Sequence, residues 1–580
     1  MAAFDTIIKN GTVVDGTRVP RYKADIGIKN GKITKIGRIN TNEGAKVLDA
    51  TGLIVAPGFI DLHTHFDAQI HWDPYCTLAG WHGITSVTIG NCGFGFAPVY
   101  AKDFDRALLS LARNEAIPLE CMKVTMSPDW ETFGQWMDHI DRLPLGINLS
   151  QLVPVTPVVA YAMGGFAEAK KRLPNEKEVQ TSIRLFHEAM QAGAVGWGAQ
   201  RLFPDTAVAI QRDYDGTPMI SDVLPDEFYL AWARALADYD QGFIQITQAG
   251  SATNDGKLGA ERDIQFSAQL AEQSGHAVIY NALAVNDKVP ESYREQLKIL
   301  NQVNAQGIPV YGQTATVRAP FVINFQDWNL FDDSPTWRDA TLGTVEEKKA
   351  KMANPEIRRT LKAEYDAGTE TRDFIFGALP QYILSRVVRL DLQKYVGLSV
   401  DQIAKQENKH VIDAMLDISV ADNLQSDWLG PIINKDPQHY KEILSSPATI
   451  PGVSDGGAHI KFLSLGMYPT DLLTWQVREA GVISLEEAHF RLSALPAWAA
   501  LFKDRGTLRE GMAADIVVYD FENLKALPQE IAYDLPAGEW RRIQKAEGYR
   551  WLIVNGQVTF EDGNCTGATP GKLLRHGRAS

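Results

Sequence analysis

The stretch Val55-Ala-Pro-Gly-Phe-Ile-Asp-Leu-His-Thr-His-Phe-Asp67 decides the fold and the chemistry expected of this chain. Pro57 and Gly58 break the preceding segment, and the alternation of the residues that follow predicts a short strand. His63 and His65 then point to the same side, where two neutral imidazoles can bind one cation. Because the flanking residues are apolar, we favour a metal site over two histidines that are hydrogen-bonded within a core.

The composition is that of an ordinary globular protein of 580 residues, with 45% hydrophobic and 22% charged residues. The net charge of −14, from 57 Lys and Arg against 71 Asp and Glu, argues against a nucleic-acid or anionic-membrane partner. The four cysteines show no close pairing, and the sequence shows neither a signal-peptide pattern nor a long apolar run. We expect a cytoplasmic protein that acts on a small molecule, and the sequence leaves a homo-oligomer open.

Short strands separated by Asn-Gly dipeptides are predicted at both ends of the chain. In residues 1–56 these dipeptides lie at 10–11 and 30–31, where they favour tight hairpins in a small antiparallel unit. Residues 501–580 repeat the pattern in the segments 515–519 and 551–560. We therefore predict one small β-sandwich domain built from both termini.

Residues 57–500 alternate eight predicted buried strands with helical segments. The strands lie near 58–65, 84–92, 147–155, 194–200, 242–248, 276–281, 307–314 and 448–455. This alternation predicts an α/β fold, a (β/α)8 TIM barrel, in which chemistry takes place at the carboxyl ends of the strands. An insertion at about 315–447 is rich in Trp and Phe, and it either caps the barrel mouth or forms a helical subdomain with its own core.

Two further candidate residues lie where predicted strands end. Cys92 stands between Gly90 and Gly93, which allow a sharp bend, and we favour a thiolate metal ligand over an inert packing residue. Asp455 follows the predicted eighth strand, and in such a barrel it can lie across the mouth from the first strand. It is expected to contact the metal and to act as a general base toward water, and the alternative is an Asx turn in a Gly-rich loop.

With these segments the chain resembles the amidohydrolase superfamily, and within it the N-acyl-D-amino-acid deacylase (D-aminoacylase) family. The resemblance covers nearly the whole chain and is carried by residues 57–67, 83–87, 90–93, 193–196, 454–456, 495–497, 504–515 and 566–575. It implies a metal-dependent hydrolase of amide bonds. It further implies that His63, His65 and Cys92 are metal ligands and that Asp455 is the metal-linked acid and base.

Two positions depart from the family pattern. The family places histidine ligands at the ends of strands five and six, where Gln248 and Asn281 stand in this sequence. Because amides are poor zinc ligands, we expect one Zn²⁺, or another divalent metal in its place, bound by the four residues above. Substrate contacts are expected from Gln248, Asn281 and His459. Arg201 and Arg318 either bind an anionic group of the substrate or satisfy loop carbonyls.

The resemblance implies an N-acylated D-amino acid as the substrate. The altered strand ends and the aromatic insertion leave two alternatives open. One is a hydrolase of lactones, esters or carbon–carbon bonds that acts on a bulkier carbonyl compound. The other is a barrel that binds a ligand without catalysis. Turnover of N-acetyl-D-amino acids tests the first alternative, and metal content tests the second.

Overall fold

A computed structural model describes residues 2–202, 212–248, 260–283, 285, 291–318, 321–332, 334–368, 378–432, 434–462 and 465–576. Its centre is a ring of parallel strands: Phe59–Asp61, Ile84–Ile89, Asn148–Gln151 with Val153–Pro154, Gly196–Gln200, Phe243–Thr247, Ala277–Asn281, Val310–Thr314 and Thr449–Pro451. We number these barrel strands one to eight, the third being interrupted at Leu152. A parallel bridge between Thr64 and Gly456 joins strands one and eight and closes the ring. The predicted (β/α)8 barrel is confirmed.

Helices follow most of the barrel strands. They are Phe104–Asn114, Leu119–Thr125, Phe133–Asp141, Val155–Ala162, Glu176–Gln191, Ile220–Val223, Asp226–Leu236, Ala260–Ser274 and Glu291–Ala305, with Tyr468–Asp471, Leu485–His489 and Leu495–Ala499 after strand eight. Local sequence sets their bounds, as in Glu176–Gln191, where the Asn175 side chain accepts from the Glu178 N–H and forms a capping box. Its buried residues Leu185, Phe186 and Ala189 recur at helical spacing and face the barrel.

Both ends of the chain form one nine-stranded sheet. Its strands are Phe4–Val13, Tyr22–Lys29, Lys32–Gly37, Gly44–Asp49, Ile54–Pro57, Ile516–Tyr519, Tyr549–Val554, Gln557–Glu561 and Asn564–Cys565. The two ends meet where Ile54–Pro57 pairs antiparallel with Ile516–Tyr519. A separate hydrophobic core, which includes the fully buried Ile26, Val55 and Ile516, supports the sheet. As predicted, both termini contribute to the same small domain.

The first Asn-Gly dipeptide does not form the predicted hairpin. Phe4–Val13 is one continuous strand whose register against Tyr22–Lys29 shifts between Ile8 and Gly11. Asn10 there has φ 62°, and a Cβ on Gly11 would lie 2.4 Å from a methyl carbon of Val55. The dipeptide therefore makes a bulge, because the neighbouring strand approaches too closely for any side chain at position 11.

The predicted purely antiparallel pairing of the N-terminal unit is also wrong. Phe4–Val13 pairs in parallel with Gly44–Asp49 and with Ile54–Pro57. Gly44–Asp49 has only one buried residue among six, so its hydrophobic pattern is too weak to predict a strand. At the other end of the chain, the short strand Leu573–Leu574 pairs in parallel with barrel strand three at Leu149 and Ser150.

The insertion between barrel strands seven and eight has its own small sheet and helices. The strands are Val322–Ile323, Ile383–Arg386 and Asp427–Leu429, and the helices are Pro335–Ala340, Val345–Ala353, Pro355–Asp366, Val400–Glu407, Val411–Ala421 and Pro437–Ser445. Phe325, Phe331 and Trp337 pack on one another with ring centroids 4.6–5.6 Å apart. The Trp328 ring instead lies 4.3 Å from His459, in the loop after barrel strand eight. Three of these aromatics thus form a core of the insertion, and Trp328 contacts the loop after barrel strand eight.

Candidate metal centre

The first barrel strand ends at Asp61, and two imidazoles lie just beyond it. The backbone N–H of His63 donates to the Asp61 carboxylate at 3.0 Å, and that of His65 donates to the carbonyl of Gly456 at 2.7 Å. The first bond lies within this segment, and the second fixes it against the loop that follows strand eight. His63 and His65 are each 1% exposed, and their ring centroids are 5.4 Å apart. Two buried histidines are thus held side by side at the carboxyl end of the barrel.

The Cys92 thiol completes a cluster of three buried donors. Its Sγ lies 3.5 Å from Nε2 of His63, and one ligand atom from each of His63, His65 and Cys92 lies within 4.8 Å of the others. The turn after strand two places the thiol there, with Gly90 at φ 81° and Cys92 itself at φ 54°. A non-glycine residue in the left-handed region is strained, and such strain is concentrated at functional sites.

Asp455 approaches the same cluster from the loop after strand eight. Its Oδ1 lies 3.3 Å from Nε2 of His63 and 3.9 Å from Nε2 of His65. Like Cys92 it has a positive φ, 47°. Burial raises the pKa of its carboxyl to about 7. Its side chain is 23% exposed, against 1% and 2% for the two histidine side chains, so the carboxylate is the most accessible member of the cluster.

The chemistry of these donors fits zinc. Burial lowers the pKa of His63 to about 3 and holds that of His65 well below its usual range, so both imidazoles are neutral ligands at neutral pH. Imidazole nitrogen, thiolate sulfur and carboxylate oxygen are the usual zinc ligands. Bonds of about 2.1–2.3 Å to one tetrahedral ion separate neighbouring ligand atoms by about 3.4–3.7 Å. The separations of 3.3–3.9 Å around His63 and His65 are close to that range.

A buried carboxylate that the sequence analysis missed lies beside this cluster. Glu115 follows the helix Phe104–Asn114 and is 4% exposed. Its Oε2 lies 3.6 Å from Nε2 of His65 and 3.4 Å from Nε2 of His459, and burial holds the pKa of the carboxyl well above its usual range. A glutamate at the end of a helix is common, so no local signal in the sequence marks Glu115 as part of a site.

Two amide side chains lie behind His63. Nδ2 of Asn281 lies 3.0 Å, and Nε2 of Gln245 lies 3.3 Å, from Nδ1 of His63. Gln245 also accepts a hydrogen bond from the backbone N–H of Cys92 at 3.1 Å. Asn281 thus lies at the site but contacts a histidine. Gln245 was missed by the sequence analysis, although a polar residue in the buried strand Phe243–Thr247 is a usable signal.

Gln248 lies one residue beyond strand five and turns toward a helix. Its Nε2 donates to the backbone carbonyl of Asp263 at 3.3 Å and to the Ser267 hydroxyl at 3.1 Å, both in the helix Ala260–Ser274. Its described side-chain hydrogen bonds are therefore made with this helix, while its backbone N–H donates to the carbonyl of Asn281 at 2.7 Å. The strand-five side chains that contact the metal cluster are Gln245 and Thr247, whose hydroxyl lies 3.3 Å from the Cys92 thiol.

The two candidate arginines are both paired with carboxylates. Arg201 contacts Asp226, and its guanidinium lies 4.3 Å from the centroid of the Phe266 ring. Arg318 contacts Asp471 at 2.7 Å and lies 4.3 Å from the centroid of the Trp475 ring. The Arg201 side chain is 4% exposed and that of Arg318 is 38% exposed. Only Arg318 is thus substantially accessible from solvent.

The chain matches known proteins over nearly its whole length. Residues 46–560 match the sequence model of the amidohydrolase family. The chain belongs to the amidohydrolase family. In the same comparison, residues 1–58 of this amidohydrolase match the N-terminal domain of the urease alpha-subunit. The resemblance inferred from its sequence segments is thereby confirmed.

Curated relatives of this amidohydrolase include two deacylases of Alcaligenes xylosoxydans xylosoxydans. The D-aminoacylase is 30% identical over 577 residues, which cover 98% of this chain and 97% of the relative. The N-acyl-D-aspartate deacylase is 26% identical over 589 residues, which cover 100% of this chain and 96% of the relative. This amidohydrolase is accordingly an enzyme of the D-aminoacylase-like group.

Solved structures of the same group share its fold. An N-acyl-D-glutamate deacylase from Bordetella bronchiseptica, in complex with zinc and a phosphonate inhibitor, aligns with a TM-score of 0.66 at 21% identity and covers 99% of both chains. A crystal structure of D-aminoacylase aligns with a TM-score of 0.66 at 20% identity and covers 99% of this chain and 100% of that one. At such identities the likeness establishes the architecture alone.

Proposed function

We propose that this amidohydrolase uses one zinc ion to hydrolyse the amide bond of N-acyl-D-amino acids. The observation that carries the proposal is the convergence of His63, His65, Cys92 and Asp455, from barrel strands one, two and eight, on one buried point. The names of the curated relatives supply the substrate class, because both are deacylases of N-acylated D-amino acids or D-aspartate.

The proposal of one ion follows from the residues at the ends of strands five and six. The Gln248 side chain makes its described hydrogen bonds with a helix, and the Asn281 side chain contacts Nδ1 of His63. A carboxamide is a weaker zinc ligand than an imidazole or a thiolate. The described residues of these two strand ends therefore offer no strong pair of ligands for a second ion.

A bound zinc ion supplies Lewis acidity toward the scissile carbonyl oxygen and toward water. Asp455 is placed to take the proton released when water attacks the carbonyl carbon, because it is the most exposed carboxylate of the cluster. The same carboxyl then gives the proton to the amine nitrogen as the carbon–nitrogen bond breaks. Asp455 is thereby ionised again, and the products are a carboxylate and a free D-amino acid.

The carboxylate of such a substrate needs a cation, and we assign that role to Arg318. Its side chain is 38% exposed, and Asp471 and the Trp475 ring orient the guanidinium. The buried Arg201 is assigned a structural role, because its contacts with Asp226 and the Phe266 ring hold it away from solvent. His459, beneath Trp328, is assigned to the wall of the substrate pocket.

The experiment is a substrate comparison with zinc-loaded protein. N-acetyl-D-amino acids, their L-enantiomers, lactones and 1,3-dicarbonyl compounds are tested at equal concentration. We expect turnover of one or more D-substrates and little turnover of the L-enantiomers. If only the lactones or the dicarbonyl compounds were hydrolysed, the proposed amide hydrolysis would be wrong and the enzyme would be a lactone or carbon–carbon bond hydrolase. A protein that binds zinc but turns over none of these compounds would overturn the proposal.

We also propose that the enzyme works in the cytoplasm. Its oligomeric state can be measured from its mass in solution. All four cysteines are free thiols, with Cys76, Cys92 and Cys121 buried and Cys565 exposed. Free thiols, one of them a proposed metal ligand, suit a reducing compartment. In the described part of the chain, no helix is long and apolar enough to cross a membrane.

A further inference from the structure

Two carboxylates, those of Glu115 and Asp455, lie near Nε2 of His65. Oε2 of Glu115 lies 3.6 Å from Nε2 of His65, and Oδ1 of Asp455 lies 3.9 Å from the same atom. Both separations are longer than the 2.7–3.2 Å of an ordinary hydrogen bond. They are close to the distance of about 3.4 Å between nitrogen and oxygen ligands of one tetrahedral zinc ion.

We propose that Glu115 is a further ligand of the zinc ion and that His459 positions its carboxylate. The proposal rests on the function proposed above, because it concerns the same ion. It assigns to the loop after the helix Phe104–Asn114 the donor that strands five and six do not supply.

No described Lys or Arg side chain pairs with Glu115 to compensate its charge. Among the described residues, neither Lys nor Arg forms an ion pair with Asp61, Asp67, Glu115 or Asp455, although all four carboxyls lie around the two histidines. Buried carboxylates are costly unless they are paired or bind a metal. A divalent cation at His63 and His65 would provide that compensation for Glu115 and Asp455 together.

His459 is well placed to position the carboxylate. Its Nε2 lies 3.4 Å from Oε2 of Glu115, and its backbone N–H donates to the Glu115 carbonyl at 2.6 Å. The His459 ring is packed against Trp328 of the insertion. Its Nδ1 is buried and has no hydrogen-bond partner among the described residues. The imidazole is thus held by packing and directs Nε2 toward Glu115.

A ligand role for Glu115 also explains how Asp455 can carry protons. Zinc brings two positive charges, and the Cys92 thiolate with one carboxylate neutralises them. The Glu115 side chain is 5% exposed and that of Asp455 is 23% exposed. The more buried carboxylate suits permanent coordination. The more exposed one is then available to exchange a proton with water.

The test compares zinc binding by wild type, Glu115→Gln, Glu115→Asp and His459→Gln. We expect Glu115→Gln to weaken zinc binding at least tenfold in a competition titration with a chromophoric chelator, since even residues outside direct coordination cost about 10–100-fold. Glu115→Asp should keep part of the affinity. His459→Gln should cost less than Glu115→Gln, because it alters only the position of the carboxylate. The control is Glu120→Gln, an exposed residue paired with Lys123.

Thermal melts of the metal-free proteins separate a ligand role from a folding defect. Glu115→Gln exchanges a buried acid that no described Lys or Arg pairs with for an amide of similar shape, so the melting temperature of the metal-free variant should equal or exceed that of wild type. The stabilisation gained on adding zinc should shrink in the same variant. In Co²⁺-loaded protein, the visible bands should change on Glu115→Gln while the thiolate charge-transfer band of Cys92 persists.

Unchanged zinc affinity and an unchanged cobalt spectrum in Glu115→Gln would overturn the ligand role. A loss of affinity accompanied by a lower melting temperature of the metal-free protein would overturn it as well, because the effect would then be structural. If the wild-type protein bound no zinc, the proposed zinc-dependent function itself would be wrong, and the ligand role of Glu115 would be wrong with it.

Discussion

Nδ2 of Asn281 lies 3.0 Å from Nδ1 of His63, so that the end of barrel strand six touches the ring that strand one presents. Zinc binding through Nε2 of His63 requires a proton on Nδ1. If the Asn281 carboxamide is rotated by about half a turn, Oδ1 takes the place of Nδ2 and can accept a hydrogen bond from that Nδ1–H. In the described structure this Oδ1 is buried and has no partner, which fits such a role. Asn281 thus supports the metal site from behind a ligand.

This relationship predicts that Asn281→Leu weakens zinc binding by about 10–100-fold, the usual cost of losing the outer partner of a histidine ligand. Asn281→Asp should bind zinc at least as tightly as wild type, because a carboxylate accepts the Nδ1–H more strongly. Competition titrations measure both affinities. Equal affinity in Asn281→Leu and wild type would show that the contact does not orient His63.

His63→Ala and Cys92→Ala should each purify with only a small fraction of one zinc per chain. Each substitution removes a donor from a cluster whose ligand atoms lie within 4.8 Å of one another. Elemental analysis of the purified proteins gives the stoichiometry. His187→Ala is the matched control, since His187 contacts Tyr239 and not the cluster. Wild-type zinc content in His63→Ala would mean that the ion binds elsewhere.

Zinc affinity should rise with pH, because the donors must lose protons to bind. Burial raises the pKa of the Cys92 thiol well above its usual range and that of the Asp455 carboxyl to about 7. Metal-free protein therefore holds both protons at pH 6 and mainly the thiol proton at pH 8. Calorimetry in buffers of different ionisation enthalpy should show more protons released at pH 6 than at pH 8.

Asp455→Asn should lower kcat for the D-substrate by about 100- to 10,000-fold, the usual cost of losing a general base. It should keep most of its zinc, because His63, His65 and Cys92 remain. Steady-state kinetics and elemental analysis on the same preparation separate the two effects. If the variant lost its zinc altogether, Asp455 would be chiefly a ligand and its assignment as the proton acceptor would be wrong.

Arg318→Met should raise KM for an N-acetyl-D-amino acid by about 10–100-fold, the cost of one charge-assisted hydrogen bond. Its effect on kcat should be small, because Arg318 does not contact the metal cluster in the described structure. Arg201→Met should instead lower the melting temperature, since Arg201 is buried between Asp226 and aromatic rings. If only Arg201→Met raised KM, Arg201 rather than Arg318 would bind the substrate carboxylate.

The barrel could be predicted from the sequence because its strands are short apolar runs that alternate with helical segments. The strand predicted near 276–281 agrees with Ala277–Asn281 to within one residue. His63, His65, Cys92 and Asp455 were found for a related reason. Each lies at the carboxyl end of a predicted barrel strand, where the architecture itself brings side chains together.

Residues outside strand ends could not be predicted in the same way. Glu115 comes to the site through the packing of a helix and its following loop, and the residues it contacts there, His65 and His459, are far from it in sequence. The orientation of the Gln248 side chain could not be predicted either, because it depends on hydrogen bonds with the helix Ala260–Ser274. Tertiary packing decides such positions, and a single sequence does not encode it in any local pattern.

The sheet that joins the two termini also has a consequence for biosynthesis. Ile54–Pro57 is made early, yet its antiparallel partner begins only at Ile516, and the last parallel partner of barrel strand three lies at Leu573–Leu574. At translation rates of roughly 5–20 residues per second, the early strands wait about half a minute or longer with an open edge. Such an edge invites wrong pairing. The nascent enzyme is therefore expected to depend on chaperones until the ribosome releases its final residues.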